Sequence, residues 1–454
     1  MKKKIHRFII IFIFGAFDIY LPAPAGNEVD VIDETLRSVD PFIQEFVDLL
    51  RSYVKQPLWQ HTRMPGIRDV LYLMPHEFTT RRNGELAVNF FYNEVPDMKT
   101  TVGNLLQENA IEDKDTILSY LPDPQNKSAV IPLFKKITLQ ERRIGFFVRA
   151  GLKRGPVSTQ LLTSLFIDER NCWLGVRNRS KLLSYLQVDE SSIPKKEFYK
   201  LKFGIGDTRL ALGLDNLEAA RWKLHIGLQA IVPTSKFSYA PKYESNVESI
   251  INASDIDELK QAAMDIVRNI RNYLIDPRFG NSGHFGIGLY FEPRANFFHE
   301  QLHLWGRLSF DALFAASEDR LFFFKQTLST NDALNYLEQY VFPSSFNVRV
   351  CPSGIFNLVL AASTDIRSVQ LTLGYDFYTQ QQEHIKKMNH SLVKLQDLNV
   401  KAAESLKILQ HKIFTEALYQ NGKPFSIGVG GDVTVASANI GKDWTAYLKT
   451  TLLF

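Results

Sequence analysis

Trp444-Thr445-Ala446-Tyr447-Leu448-Lys449-Thr450-Thr451-Leu452-Leu453-Phe454 is the stretch that decides the fold. Trp444, Ala446, Leu448, Thr450, Leu452 and Phe454 make one alternate set, all apolar or small. Thr445, Tyr447, Lys449, Thr451 and Leu453 make the other. A strand sends successive side chains to opposite faces, so one face of this segment can meet lipid while the other lines a wet lumen.

The same alternation recurs upstream. Leu86, Val88, Phe90 and Tyr92 alternate with Ala87, Asn89 and Phe91, and Ile144, Phe146, Val148, Ala150 and Leu152 alternate with Gly145, Phe147, Arg149 and Gly151. Further sets start at Trp222, Phe285, Leu302, Val369 and Phe425, with weaker ones at 157–168, 200–214 and 354–363. Each approaches the ~9–11 residues a tilted strand needs to cross a bilayer. The minor faces hold Arg, Lys, Asp, Gln and His, which a lumen tolerates and hydrocarbon does not. Lumen-facing candidates are Asp207, Arg209, Arg307, Asp311 and Asp376. Tyr92, Trp222, Phe291, Tyr375 and Trp444 are candidates for aromatic girdles at the membrane interfaces. The expected fold is all-β: an antiparallel transmembrane β-barrel of about 12 strands (10–14), with helical insertions and an N-terminal helix.

Trp444, Leu448, Leu452 and the terminal Phe454 resemble the signal read by the barrel-assembly machinery of Gram-negative bacteria. The other end of the chain agrees. Lys2, Lys3, Lys4 and Arg7 precede the apolar run Phe8–Phe17, and Ala23-Pro24-Ala25 follows. This order describes a secretory signal peptide over 1–25, too short to span as a helix of ~20 residues. The expected location is the bacterial outer membrane, reached through the general secretory pathway, with outer-membrane lipids and the assembly machinery as partners. The net charge of +4 includes +3 from residues 1–25, so the rest of the chain is nearly neutral and nothing points to nucleic acid. No cofactor is expected.

Helical spacing falls between the strands. Asp40-Pro41 reads as an N-cap with Pro at the first helical position, and Phe42, Ile43, Phe46, Leu49, Leu50 and Tyr53 follow at helical spacing. This helix lies in an N-terminal segment, 26–65, that plugs the barrel or sits in the periplasm; the barrel itself is placed over 66–454. Other helices are expected near 99–120, 251–275, 331–341 and 384–417. If the inserts at 94–143, 169–198, 233–282, 316–353 and 379–423 all face outward, eleven crossings result and the chain ends on the wrong side. A bacterial barrel needs an even count, so a further crossing is required; 68–80 and 129–139 are candidates. Cys172 and Cys351 fall just before strands, and an exported chain permits a bridge between them.

Residues 203–235, FGIGDTRLALGLDNLEAARWKLHIGLQAIVPTS, combine a Gly-x-Gly-Asp-x-x-Leu strand, a second alternating strand and a closing Pro-Thr-Ser. This resembles a hairpin of the fatty-acid-transporter superfamily of outer-membrane barrels. It is most similar to the meta-pathway branch associated with phenol and aromatic-compound degradation. That branch closes on Pro-Thr-Gly, where this chain has Ser235. The resemblance implies a channel for small hydrophobic solutes, often with an N-terminal segment inside the barrel. The residues themselves suggest a structural role for Gly204, Gly206 and Asp207: a bend and a capped turn.

His299-Glu300-Gln301-Leu302-His303 spells H-E-x-x-H, a zinc motif only on a helix. Period two from Leu302 onward predicts a strand, which would hold i and i+4 ~13 Å apart. Glu318 is a loose third-ligand candidate, and His225, His284, His303 and Ser309 offer a hydrolase set of the kind any barrel with ten His supplies. No G-x-S-x-G, P-loop or paired C-x-x-C occurs. The expectation is a non-enzymatic channel passing small, hydrophobic solutes passively. The alternatives are a surface structural or adhesion barrel with an occluded lumen, and, further off, a barrel hydrolase or zinc enzyme.

Overall fold

A computed structural model of the 454-residue chain describes residues 83–96, 138–173, 199–219, 222–237 and 283–454, with short interruptions in the last segment. It also describes single positions between 44 and 51, Arg68, and scattered positions over 248–281. The strands are β1 (Gly84–Val95), β2 (Thr138–Arg154), β3 (Val157–Trp173), β4 (Tyr199–Ile205), β5 (Thr208–Ala219), β6 (Trp222–Val232), β7 (Gly286–Phe297) and β8 (Leu302–Leu313). They continue with β9 (Ala316–Phe322), β10 (Ser344–Cys351), β11 (Ile355–Ile366), β12 (Val369–Gln380), β13 (His384–Met388), β14 (Ile408–Gln420), β15 (Phe425–Ala438) and β16 (Trp444–Leu453).

Thirteen of these strands form one antiparallel sheet that closes on itself. β4 and β5 both pair with β3, one along each half, so together they make a single stave and the barrel has twelve. Closure comes from β1 against β16, running from Glu85↔Leu453 to Glu94↔Trp444. Gly84 and Phe454 exchange both backbone hydrogen bonds beside it, at 2.7 and 2.9 Å. Closure joins the first and last staves, as strands that cross a membrane require, and among the described residues leaves unpaired only the side of the short β4 that faces away from β3. Among the described residues no helix is long and apolar enough to cross.

The faces follow the pleat. On β16, Trp444, Leu448, Leu452 and Phe454 are exposed outward, whereas Thr445, Tyr447, Lys449 and Thr451 are buried inward. Phe90, Phe146, Leu228, Ile287, Phe310 and Leu373 continue the outer apolar coat. Tight turns join the staves at the end that holds Gly84 and Phe454, called here the near end. Gly155 takes φ 60 and Arg367 φ 58 in two of those turns. The far end carries the long connections.

The missing twelfth crossing is β14. It lies inside 384–417, which the helical spacing assigned to a helix. Ile408/Leu409, Ile413/Phe414 and Ala417/Leu418 put apolar residues on both faces of the strand, so the pleat period is blurred and a helical spacing emerges. The rest of 384–417 is also not one helix. It holds β13, a 3₁₀ turn at Leu395–Asp397 and a single helical turn at Val400–Ala403. Helix is present over Asp332–Val341, as an α segment that widens into a π turn, and at the described positions between 258 and 269, while 252–255 are not helical. The expected insert at 99–120 and the candidate crossing 68–80, Arg68 apart, fall outside the described residues; 129–139 contributes only the start of β2.

At the far end β9, β10 and β13 form a second, three-stranded sheet in the order β13-β10-β9. They continue the staves β8, β11 and β12 beyond short breaks. Their core packs Phe322, Phe324, Val348, Val350, Ile385, Val393, Leu398 and Ala403. Cys351 ends β10 with a free thiol, so the bridge to Cys172 is not part of this structure. β3, which holds the Cys172 backbone, and β10 belong to different sheets.

Candidate functional site: the lumen wall and an apolar window

Inward-facing positions of the staves carry charge, and the charges are paired. Arg209 Nη1 donates to Asp311 Oδ2 at 3.0 Å, and Gln229 bonds the other oxygen of Asp311. Arg307 Nη2 donates to Gln229 Oε1 at 3.0 Å and Nη1 to Glu292 Oε1 at 2.6 Å. The Arg307 guanidinium lies over the Tyr290 ring, 4.3 Å from its centroid. Three of the five sequence candidates, Arg209, Arg307 and Asp311, thus meet in one network. Asp376 stands apart, accepting from Asn357 at 2.7 Å and bonding Arg68.

Asp207 has a structural role. Between β4 and β5 its carboxylate accepts the Ser235 hydroxyl at 2.6 Å and the Asn281 backbone N–H at 2.6 Å. A Cβ on Gly280, which takes φ +56, would sit 2.5 Å from that carboxylate, so the clasp needs glycine there. Ser235, which stands where the resembled hairpin closes on glycine, supplies one of its donors.

Other charged lumen groups are not among the five sequence candidates, although the alternation places Arg149, Tyr447 and Lys449 on the inward face. Arg143 bonds Asp168 at 2.8 and 3.0 Å, and Arg170 bonds Glu141 at 2.7 Å, all four fully buried. Arg149 pairs with Glu85. Lys412 holds Asp443 at 2.6 Å and Asp432 at 3.1 Å, while Asn93 and Gln410 also donate to Asp443. Lys449 and Tyr447 both reach Glu416. Arg143, Arg149 and Asp168 occupy the inward parity of strands already legible, which was the available signal. Lys412 and Glu416 were hidden by the misreading of β14. Buried charges need partners to offset their desolvation, and every lumen cation named here has a carboxylate partner.

One part of the wall differs. The β7–β8 ladder pairs Phe291 with Leu308 and resumes at Arg294 with Trp305, leaving Glu292–Pro293 unpaired with Gly306–Arg307. Pro293 has no N–H to give, which accounts for part of the break. Outside it lies an apolar cleft of about 610 Å³, lined by Trp222, Pro293, Leu304, Gly306, Leu373 and Ile413 among others. Behind it, inside the wall, Trp305, Val359, Ala361 and Phe414 form a buried apolar cluster. The Arg307–Glu292 pair spans the break from the lumen side.

The N-terminal segment touches the far end. Val47 and Leu50 are helical and fully buried, and Arg51 Nη2 donates to the Asp332 carbonyl at 2.8 Å. The Arg51 guanidinium also lies 5.4 Å from the centroid of the Tyr336 ring, whose phenol burial pushes well above the usual range. Further along, Arg68 reaches the lumen wall at Asp376, with its guanidinium 4.8 Å from the Tyr378 ring centroid. β1 then begins at the near end.

The enzyme candidates are dispersed. His225 lies between Ser158 at 3.3 Å and Tyr290 at 3.0 Å, and His284 bonds Glu318 at 2.6 Å. His303 bonds Asn296 and Asp365. Gln301 is in a turn and β8 starts at Leu302, so His303 sits on a strand as period two requires; His299 and Glu300 fall outside the described residues. Among the described residues no cluster of His, Cys, Asp and Glu could hold a metal. Of the girdle candidates, Tyr92 and Trp444 touch at the far end and Trp222 meets Phe297 at the near end. Phe291 and Tyr375 lie in mid-strand and belong to neither ring.

No family model matches the chain, and no curated protein matches it in sequence. Among solved structures, it is similar to an outer-membrane channel from Pseudomonas putida F1, with 8% identity and a TM-score of 0.44, over 84% of this chain and 99% of that one. It is also similar to the P. putida toluene transporter TodX, with 10% identity and a TM-score of 0.35, over 83% and 91%. The Ralstonia pickettii toluene transporter TbuX gives 8% and 0.33, over 82% and 90%. At these values the reading of the site rests on the geometry of this barrel alone.

Proposed function

We propose that the chain is an outer-membrane channel for small hydrophobic solutes, closed at rest. The observation that carries this reading is a coincidence in the wall: the interrupted β7–β8 ladder, the apolar cleft outside it and the apolar cluster behind it. A solute dissolved in the membrane finds a weak apolar site at the cleft. It passes inward where no ladder hydrogen bonds must break. Sites that bind firmly enough to admit a solute and loosely enough to release it support passive flow. The paired, buried charges and the Arg68 contact support a lumen shut to water in the resting state. The N-terminal segment serves as the plug in this scheme. Export through the secretory pathway and delivery to the assembly machinery complete the proposal.

The test is uptake of a fluorescent hydrophobic probe into vesicles that contain the purified chain. Uptake above empty vesicles, reduced by Ala362→Phe in the cleft lining, is the expected result. A folded, inserted barrel with no uptake refutes the channel. It would leave the structural or adhesion barrel, a reading the paired lumen charges also suit.

A further inference from the structure

Acids that flank the far-end sheet are buried and held: Glu383 accepts the Ser405 N–H at 2.7 Å and bonds the buried Arg320, Glu404 accepts the Ile385 N–H at 3.0 Å, and Asp397 accepts the Lys394 N–H at 2.9 Å. The cations Arg349, Lys386 and Lys387 are exposed. Arg349 stands directly opposite Lys387 in the β10–β13 ladder. The register shifts just beyond, between Arg349 and Val350, which leaves Lys386 as the extra residue beside that pair. Like charges facing each other across strands destabilise a sheet. None of the three has a carboxylate partner among the described residues. The acid on the exposed face of neighbouring β9 is Asp319, held by Asn347 at 2.8 Å. The cluster is also placed close to lipid by chain connectivity. Arg349 is seven residues from Phe356 of β11, and Lys386 is six from the end of β12, so both lie within about 25 Å of the apolar coat at ~3.3 Å per residue.

We propose that Arg349, Lys386 and Lys387 hold the phosphate groups of lipid in the leaflet at the far end. The inference rests on the membrane-barrel reading above. Three cations without a carboxylate partner among the described residues, within reach of the apolar coat, match a phosphorylated lipid in charge, and the bound phosphates relieve the repulsion between Arg349 and Lys387. Each such cation is worth roughly fivefold in affinity for an anionic surface.

The full chain in a neutral detergent is titrated with diphosphorylated lipid A, with its dephosphorylated form and with inorganic phosphate, and retained lipid is read by native mass spectrometry. Lipid A is expected to bind saturably. Binding should weaken at least about tenfold in Arg349→Ala/Lys386→Ala/Lys387→Ala and in high salt, and should be retained in Lys386→Arg/Lys387→Arg. Equal binding of the dephosphorylated lipid, or no change in the triple variant, overturns the proposal. Displacement by inorganic phosphate at similar concentration overturns the lipid as its source. Circular dichroism of each variant confirms that the barrel is intact. A chain that never partitions into detergent or membrane refutes the barrel reading instead, so the two failures are told apart.

Discussion

Replacing Arg307 by alanine tests the bolt across the wall break. In the native barrel its guanidinium binds Glu292 at 2.6 Å and Gln229 at 3.0 Å and covers the Tyr290 ring at 4.3 Å. Both charged side chains are nearly fully buried, 3% and 1% exposed, so solvent screens the pair little. Arg307→Ala leaves the Glu292 carboxylate buried with Arg294, at 3.5 Å, as its remaining ion-pair partner among the described residues. Removing one partner of a buried pair costs about 3–5 kcal/mol. The lost cation–π contact, about 0.5–2 kcal/mol, falls within that figure. No ladder hydrogen bonds back up the pair at this point, so the cost should appear as local opening as well as lower stability. The assay is urea unfolding in lipid vesicles followed by tryptophan fluorescence, with hydrophobic-probe uptake measured alongside. Arg307→Ala should lower stability by at least 2 kcal/mol and raise uptake. In a double-mutant cycle with Glu292→Ala, the two losses should fall short of additivity by more than ~0.5 kcal/mol. Additive losses, or a stability loss under ~1 kcal/mol with unchanged uptake, would refute the bolt.

Three further outcomes are expected. Asp376→Asn should free Arg68 from the wall and speed protease cleavage in the N-terminal segment, seen by gel after limited proteolysis of vesicles. Gly374→Ala should destabilise the barrel by roughly 1–3 kcal/mol, because the new Cβ would sit 2.2 Å from the Phe414 ring; the urea midpoint reports it. Phe454→Ala should slow assembly in cells, read as accumulation of the unfolded form, whose gel mobility does not change on heating, while refolding in detergent stays near the native rate.

The sequence by itself determined the faces. On β1, β2, β7, β8, β12 and β16 the alternate apolar set is the set that points outward, because the pleat is a local property with a period of two residues. It determined the need for an even strand count, and so the existence of an unread crossing. It also placed Arg209, Arg307 and Asp311 on the inward side. It did not reveal β14, where Ile413 and Phe414 load both faces with apolar side chains. Nor did it show that β4 and β5 share one stave. Only the tertiary structure decided which charges meet, since Arg209 and Asp311 are 102 residues apart. The gap opposite Pro293 likewise emerges only once β8 lies beside β7. Pairing across a closed sheet is non-local: each partner is set by register and closure, and neither is written in the spacing along one strand.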